Sequence, residues 1–247
     1  MKETSPFTIR NIRLFIAFRI FFNSRFYYPV FTILFLDYGL TIEQFALLNT
    51  VWAITIVCSE VPSGALADLL GRKQLLVITS LLMVVEISVI AFVPISSITV
   101  VFWAFLLNRV LSGLAEAMAS GADEAIAYDS LVESGNPEHW PKVLSLQMRL
   151  KALAGIISMT VGAMLYDPEM VNRLLAFSGV TTTVSQQVSM RFPVYLTLVL
   201  AFLSLWTTLN LRETGQEREK AGQRISTAAV WQAGRLTWQA GEWIMKT

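Results

Sequence analysis

The sequence predicts an all-α transmembrane fold, a bundle of six membrane-spanning helices with both termini on the same side. Three observations carry that expectation. Hydrophobic residues make up 54% of the 247 residues, and only 15% are charged. Soluble domains carry roughly a quarter of charged residues, and the mean hydropathy here is +0.56. Apolar runs long enough to cross a bilayer core, about 20 residues for ~30 Å, recur over 12–36, 44–66, 75–94, 98–121, 144–165 and 192–211. Helices are the expected form, because lipid leaves every backbone polar group to be satisfied within its own segment.

Each run has its own signature. The first carries Arg19 and Arg25 and lacks a small-residue cleavage site, so it reads as a retained span, not a signal peptide. The second and third are separated by a short charged turn, G64-A-L-A-D-L-L-G-R-K73. The link at 94–98 is so short that the third and fourth must form an antiparallel hairpin. The fifth contains A154-G-I-I-S-M-T-V-G-A163, whose Gly155 and Gly162 permit close helix approach. The loop 166–191 holds a Thr run and Gln186-Gln187, with room for a short surface helix. Residues 1–211 therefore form the bundle and 212–247 a linker. That linker repeats W231-Q-A-G as W238-Q-A-G241, which stacks Trp231 and Trp238 on one helical face near Arg235 and Glu242. An amphipathic helix in the headgroup region fits this pattern; a chance repeat in a soluble linker helix is the alternative.

Basic residues set the direction. With the N-terminus cytoplasmic, Arg10, Arg13, Arg72, Lys73, Lys142, Arg149, Lys151 and Arg212 fall on that side, and only Arg173 and Arg191 on the other. That asymmetry places both ends inside. Several function classes lose support at this stage. A net charge of +1 gives no reason to expect a nucleic-acid partner. The single cysteine, Cys58, rules out an internal disulfide, and the single histidine, His139, has no Cys/His neighbours. No metal site, cofactor or catalytic constellation is expected, so the reading is not an enzyme.

Ionisable groups inside spans are costly and are functional candidates. Glu86 lies in the third span, as a proton carrier or as a counter-ion for Arg109. Arg109, Gly113 and Glu116 fall at i, i+4 and i+7 of the fourth, on one face that should look into the bundle. In the first span Arg19 and Asn23 share a face, and Arg25 points elsewhere. Either arginine could contact substrate or pair with Glu86, Glu116 or Glu60. Tyr27 and Tyr28 beside Arg25 read as ordinary packing in preference to substrate contacts. Glu60, Gly64 and Asp68 share a face if the second helix continues that far. Gly64 allows close approach of another helix, Asp68 can accept N–H bonds at a helix start, and Gly71 permits a positive φ. Asp123, Glu124 and Asp129, in G121-A-D-E-A-I-A-Y-D-S-L131, are all candidate partners for Arg72.

Gly64, Leu66, Asp68, Gly71, Arg72 and Lys73 fit G-x-L-x-D-x-x-G-R-K, which resembles the signature between spans two and three of the major facilitator superfamily of secondary transporters. Leu69 replaces the arginine typical after the aspartate. R109-V-L-S-G113 resembles that family's R-x-x-x-G element, with Ser112 where glutamine is frequent. The fifth span lacks the proline of the family's antiporter signature, which weakens the case for drug export. The resemblance covers nearly the whole chain and implies the N-terminal six-helix half of a two-half fold. It implies that Gly64, Asp68, Gly71, Arg72 and Lys73 act as a conformational latch. It also implies that Arg109 and Gly113 belong to a proton-coupling element; Glu116, Glu86 and Glu60 join them, by their positions in the spans, as an intramembrane charge network. Arg19, Asn23 and Arg25 would line the substrate cavity.

The implied function is alternating-access transport of small organic molecules across a cell membrane, here a bacterial inner membrane, with proton-coupled export as one form. The implied partners are substrate, lipid bilayer, and a C-terminal six-helix half or a second copy. An isolated half would expose its second and fourth spans. The alternative is a truncated, non-transporting membrane subunit.

Overall fold

A computed structural model describes residues 5–180 and 182–214. The interfacial helix expected in the linker falls outside these residues, as does the side chain of Asp68. Among the described residues the chain is helical throughout: α1 (Arg10–Asn23), α2 (Phe31–Asp37), α3 (Ile42–Leu70), α4 (Arg72–Phe92), α5 (Ile98–Ala119), α6 (Ala122–Glu133), α7 (Trp140–Tyr166), α8 (Pro168–Phe177), α9 (Gln186–Ser189) and α10 (Phe192–Asn210). Five helical stretches are long and apolar enough to cross a membrane: 42–67, 72–92, 98–133, 137–166 and 186–210.

The first expected span, 12–36, is not one helix. It divides into the 14 residues of α1 and the seven of α2. A 14-residue helix reaches only about 21 Å, short of the ~30 Å core. The cause lies in S24-R-F-Y-Y-P29. Pro29 has no N–H and disfavours helical geometry in the residue before it, and 28–30 form a 3₁₀ turn. Ser24 leaves the helix with φ −84° and ψ 86°. Hydropathy could not register this, because Phe26, Tyr27 and Tyr28 keep the run apolar through the break.

An unwound backbone survives inside a bundle only when neighbouring helices satisfy it. The Phe26 N–H donates to Thr197 Oγ1 of α10 at 3.1 Å. On the other flank Gly162 of α7 lies so close that a Cβ there would stand 1.7 Å from the Phe26 carbonyl oxygen. Gly155, one motif earlier, faces open space. The small residues of the fifth span thus have unequal roles, and only Gly162 admits the broken strand of backbone.

The remaining helices follow local rules. Thr41 and Gln44 form a reciprocal capping box at the start of α3. Gly71 separates α3 from α4 at φ 88° and ψ 147°, a region open essentially to glycine alone. The turn at 93–97 folds α5 back along α4, and the core lies between them, with Met83, Ile87 and Ile90 against Phe105. Gly121 (φ 76°) turns the chain from α5 into α6. The two described ends of the chain meet. Arg10 donates to Asn210 Oδ1 at 3.0 Å, and Asn11 exchanges bonds with the Arg212 peptide at 2.8 and 3.0 Å. They define a termini end of the bundle, opposite the α4–α5 hairpin end.

Burial is uneven. Half of the apolar window of α4 is buried, against 6% for α3 and 11% for α7. The least covered spans are therefore the second and fifth, and the fourth, α5, also leaves Trp103 and Leu107 exposed. On its other side the small residues of α5 admit α3: a Cβ on Gly113 would stand 2.9 Å from Thr55 Cβ and 3.0 Å from the Trp52 carbonyl oxygen.

Gly162→Val should destabilise the protein by at least the ~1–3 kcal/mol typical of core overpacking, because the group it meets is backbone. Gly155→Ala should be close to neutral. Thermal unfolding in detergent, followed by size-exclusion recovery, compares the two; equal midpoints would remove Gly162 from its place as the seat of the break.

Candidate functional site

The break in the first span aims a guanidinium into the centre of the bundle. Arg25 and Glu86 of α4 are 3% and 0% exposed and form an ion pair at 2.5 Å, from Nη1 to Oε1. The same Nη1 donates to the Tyr27 hydroxyl at 3.2 Å, and the guanidinium lies over the Phe22 and Tyr28 rings. Glu86 Oε2 accepts from Asn108 Nδ2 of α5 at 3.2 Å, and the Glu86 carbonyl accepts from the same amide at 2.9 Å. Asn108 Oδ1 in turn accepts from Arg109 Nε and Nη2 at 3.0 and 2.7 Å. A continuous buried chain therefore runs Arg25–Glu86–Asn108–Arg109.

Each link limits the next. Both Glu86 oxygens face donors. The Asn108 amide is fixed in one orientation, because only its oxygen can face Arg109. Arg109 is 4% exposed and packs over the faces of Phe31 and Phe35 at 5.0 and 5.7 Å, an arrangement that partly offsets its desolvation. Glu86 thus finds its cation in Arg25 and reaches Arg109 only through Asn108. Sequence reading passed over Asn108; its signal was an amide in the apolar run F105-L-L-N-R109.

A second constellation lies toward the termini end. A cleft of about 410 Å³ is lined by α1, α3, α5 and the start of α6, including Arg19, Asn23, Glu60, Glu116, Asp123 and Glu124. Arg19 and Asn23 share the α1 face expected of them, and Asn23 donates to the Arg19 carbonyl at 2.8 Å. Arg25, grouped with them as cavity-lining, is instead sealed in the central network. Arg19 Nε pairs with Asp123 Oδ2 at 2.6 Å, and its Nη2 bonds Glu124. Glu60 and Glu116 reach the cleft from α3 and α5, exposed to solvent. Arg109 and Gly113 turn inward from the same face of α5, so the i, i+4, i+7 set serves two places.

The charged turn closes the same end. Arg72, the first residue of α4, pairs with Asp129 of α6, while Asp123 and Glu124 are taken by Arg19. Basic residues at a helix start oppose the dipole, and α4 opens with Arg72 and a half-buried Lys73 and no acid in its first turn. Asp129 supplies the compensating charge. The face shared by Glu60, Gly64 and Asp68 exists, since α3 continues to Leu70. Gly64 sits exposed on it, with nothing within 4 Å of where a Cβ would stand. Among the described residues no group of three His, Cys, Asp or Glu is placed to hold a metal.

Removing one partner of a buried ion pair leaves an uncompensated charge and typically costs about 3–5 kcal/mol. Glu86→Gln or Arg25→Met should each lower the thermal midpoint sharply. The double variant should recover much of the loss, because an apolar pair is often as stable as the ions it replaces. Midpoints of the four proteins in one detergent form the cycle; additive losses would show that the two side chains act independently.

No curated protein matches the chain in a sequence search. The profile of the Major Facilitator Superfamily matches residues 13–243, nearly the full length. Together with the multi-pass helical architecture and the glycine-bounded charged turn between α3 and α4, that match makes the chain a member of the major facilitator superfamily, a family of membrane transporters.

Proposed function

We propose that this chain is a half of a secondary active transporter that moves small organic molecules by alternating access. In this reading it works with a C-terminal six-helix bundle or a second copy, and substrate movement is coupled to protons, in the direction of export across a cell membrane. The observation that carries the proposal is the termini-end cleft, where Arg19, Asn23, Glu60 and Glu116 from three helices converge. Phe22 and Ile56 add apolar wall to the same cleft. Such a mixture suits an amphipathic organic substrate.

The chemistry divides between the two constellations. The central network is fully engaged and serves as a fixed counter-charge, so Glu86 acts as the counter-ion of Arg25, not as a carrier. Glu60 and Glu116, open to water and to substrate, are the carboxylates positioned to exchange protons. At the rim, Arg72–Asp129 and Arg19 with Asp123 and Glu124 hold α6 against α4 and α1. Their release would free the cytoplasmic side to open, and Gly64, Asp68, Gly71 and Lys73 belong to the same latch. The lightly buried faces of α3 and α7 are the surfaces offered to the opposing bundle.

The test uses proteoliposomes holding the transport-competent assembly, an internal pH dye and a panel of amphipathic organic molecules. A substrate should drive proton movement in wild type. Arg109→Ala should reduce it to the level of protein-free vesicles, and Asp68→Asn should cut it severely. The double change Glu60→Gln with Glu116→Gln should leave substrate exchange and abolish the proton signal. Indifference to both Asp68→Asn and Arg109→Ala would refute the assigned roles.

A further inference from the structure

The loop between the fifth and sixth spans contains a feature that transport does not require. Asp167 ends α7 and caps α8, accepting from the Glu169 N–H at 2.9 Å, so α8 begins one residue beyond the span. The ten residues of α8, PEMVNRLLAF from Pro168 to Phe177, are sharply two-faced. Glu169 and Arg173 pair at 3.7 Å, at 80% and 76% side-chain exposure. Phe177, 93% exposed, follows Arg173 at i+4 on the flank of that pair, and Leu174, 49% exposed, lies about 140° round the helix from Glu169. Val180 just after the helix is 42% exposed. Val171 alone is buried against the bundle.

A phenylalanine left almost wholly outside the protein needs an apolar environment from elsewhere. Its position supplies one. The loop is tied to the hairpin end of the bundle. Tyr166 donates to Asp37, the Gln186 amide donates to the same carboxylate at 3.0 Å, and Arg191 donates to the carbonyls of Ala91 and Val93 at 2.8 and 2.7 Å. The return of the loop is fixed as well, since Asn172 and Val184 exchange two hydrogen bonds at 3.1 and 2.7 Å. So α8 is held at the edge of a span whose own surface, through Ile156, Ile157, Met159 and Met164, is exposed and apolar.

We propose that α8 is an interfacial anchor that lies in the headgroup region of the bilayer, with Leu174 and Phe177 in the acyl boundary, Glu169 toward water and Arg173 at headgroup level between them. A short helix with one charged and one apolar face has this as its favoured site, with its apolar side ~5–10 Å into the boundary. The anchor fixes the depth of the α7 terminus, and so the level at which Gly162 meets the break of the first span.

Site-directed spin labelling of the full chain in liposomes tests this, in a Cys58→Ser background that leaves no native thiol. Single labels replace Phe177, Leu174 and Glu169; all three residues are solvent-exposed, and helical content checks each fold. Labels at Phe177→Cys and Leu174→Cys should collide freely with oxygen, be shielded from a water-soluble nickel chelate, and report a depth of ~5–10 Å. The label at Glu169→Cys should show the reverse. Equal nickel access at all three positions would overturn the proposal by placing α8 in water. Exclusion of both relaxants at Phe177 would overturn it in favour of a protein partner covering that face.

Discussion

The buried pair between Arg25 and Glu86 is the constraint on which the rest of the bundle depends. Two charges this far from water need complete partnering, because a lone one costs several kcal/mol. Arg25 reaches Glu86 only because α1 stops at Asn23 and the chain unwinds through Phe26 and Tyr27. The unwound peptide then needs partners of its own, which are Thr197 of α10 and the bare backbone edge at Gly162 of α7. Asn108 of α5 completes the carboxylate's second oxygen. One ion pair thereby commits both parts of the first span and the third, fourth, fifth and sixth to a common arrangement. The second span, α3, stands outside this set and is held by α5, through the close contact at Gly113 and the Ser63 hydroxyl on the Ala117 carbonyl at 2.9 Å.

Magnitudes separate that centre from the rim. Two termini-end pairs are partly solvated: Arg72 and Asp129 retain 27% and 19% side-chain exposure, and Arg19 and Glu124 retain 21% and 45%, while Asp123, the other partner of Arg19, retains 2%. Exposed ion pairs are worth ~0–1 kcal/mol each, so Glu124 is the partner that salt or a ligand exchanges most readily, and Arg72–Asp129 is held less firmly than the sealed centre. The central network has no such freedom, because opening it would strand Arg25 and Glu86 in an apolar interior. A molecule built this way has a rigid core and a rim that can be re-paired, the division a conformational cycle in the proposed transporter requires.

The sequence made some of this legible and hid the rest for physical reasons. Apolar length was enough to locate the helices of the second to sixth spans, and the spacing of Arg19 and Asn23 was enough to put them on one face. Gly71 was readable because only glycine accepts the backbone angles that separate α3 from α4 there. The break at 24–27 was hidden, since hydropathy averages over Pro29 and the aromatic residues before it. Pairing was hidden too. Charge type admits Arg109 or Arg25 for Glu86, and any of three acids for Arg72, and only the crossing of helices decides between them. Asn108 was overlooked because a neutral amide in an apolar run gives no charge signal, yet its two-sided hydrogen bonding is what joins the network.

Charge balance distinguishes the two constellations. The centre holds two guanidinium groups and one carboxylate, a surplus of one positive charge among apolar side chains. The cleft holds four carboxylates and one guanidinium, a surplus of three negative charges. Glu116 lies seven residues from Arg109 along one face of α5, about 10 Å, with low-dielectric helix in between. Yet Glu116 is exposed, so water and salt screen its attraction for Arg109 over that distance, close to a Debye length of about 8–10 Å. In the proposed cycle, a cationic group of a substrate is therefore felt first among the cleft's own charges, where Arg19 holds Asp123 and Glu124, and the Arg25–Glu86 pair stays as it is.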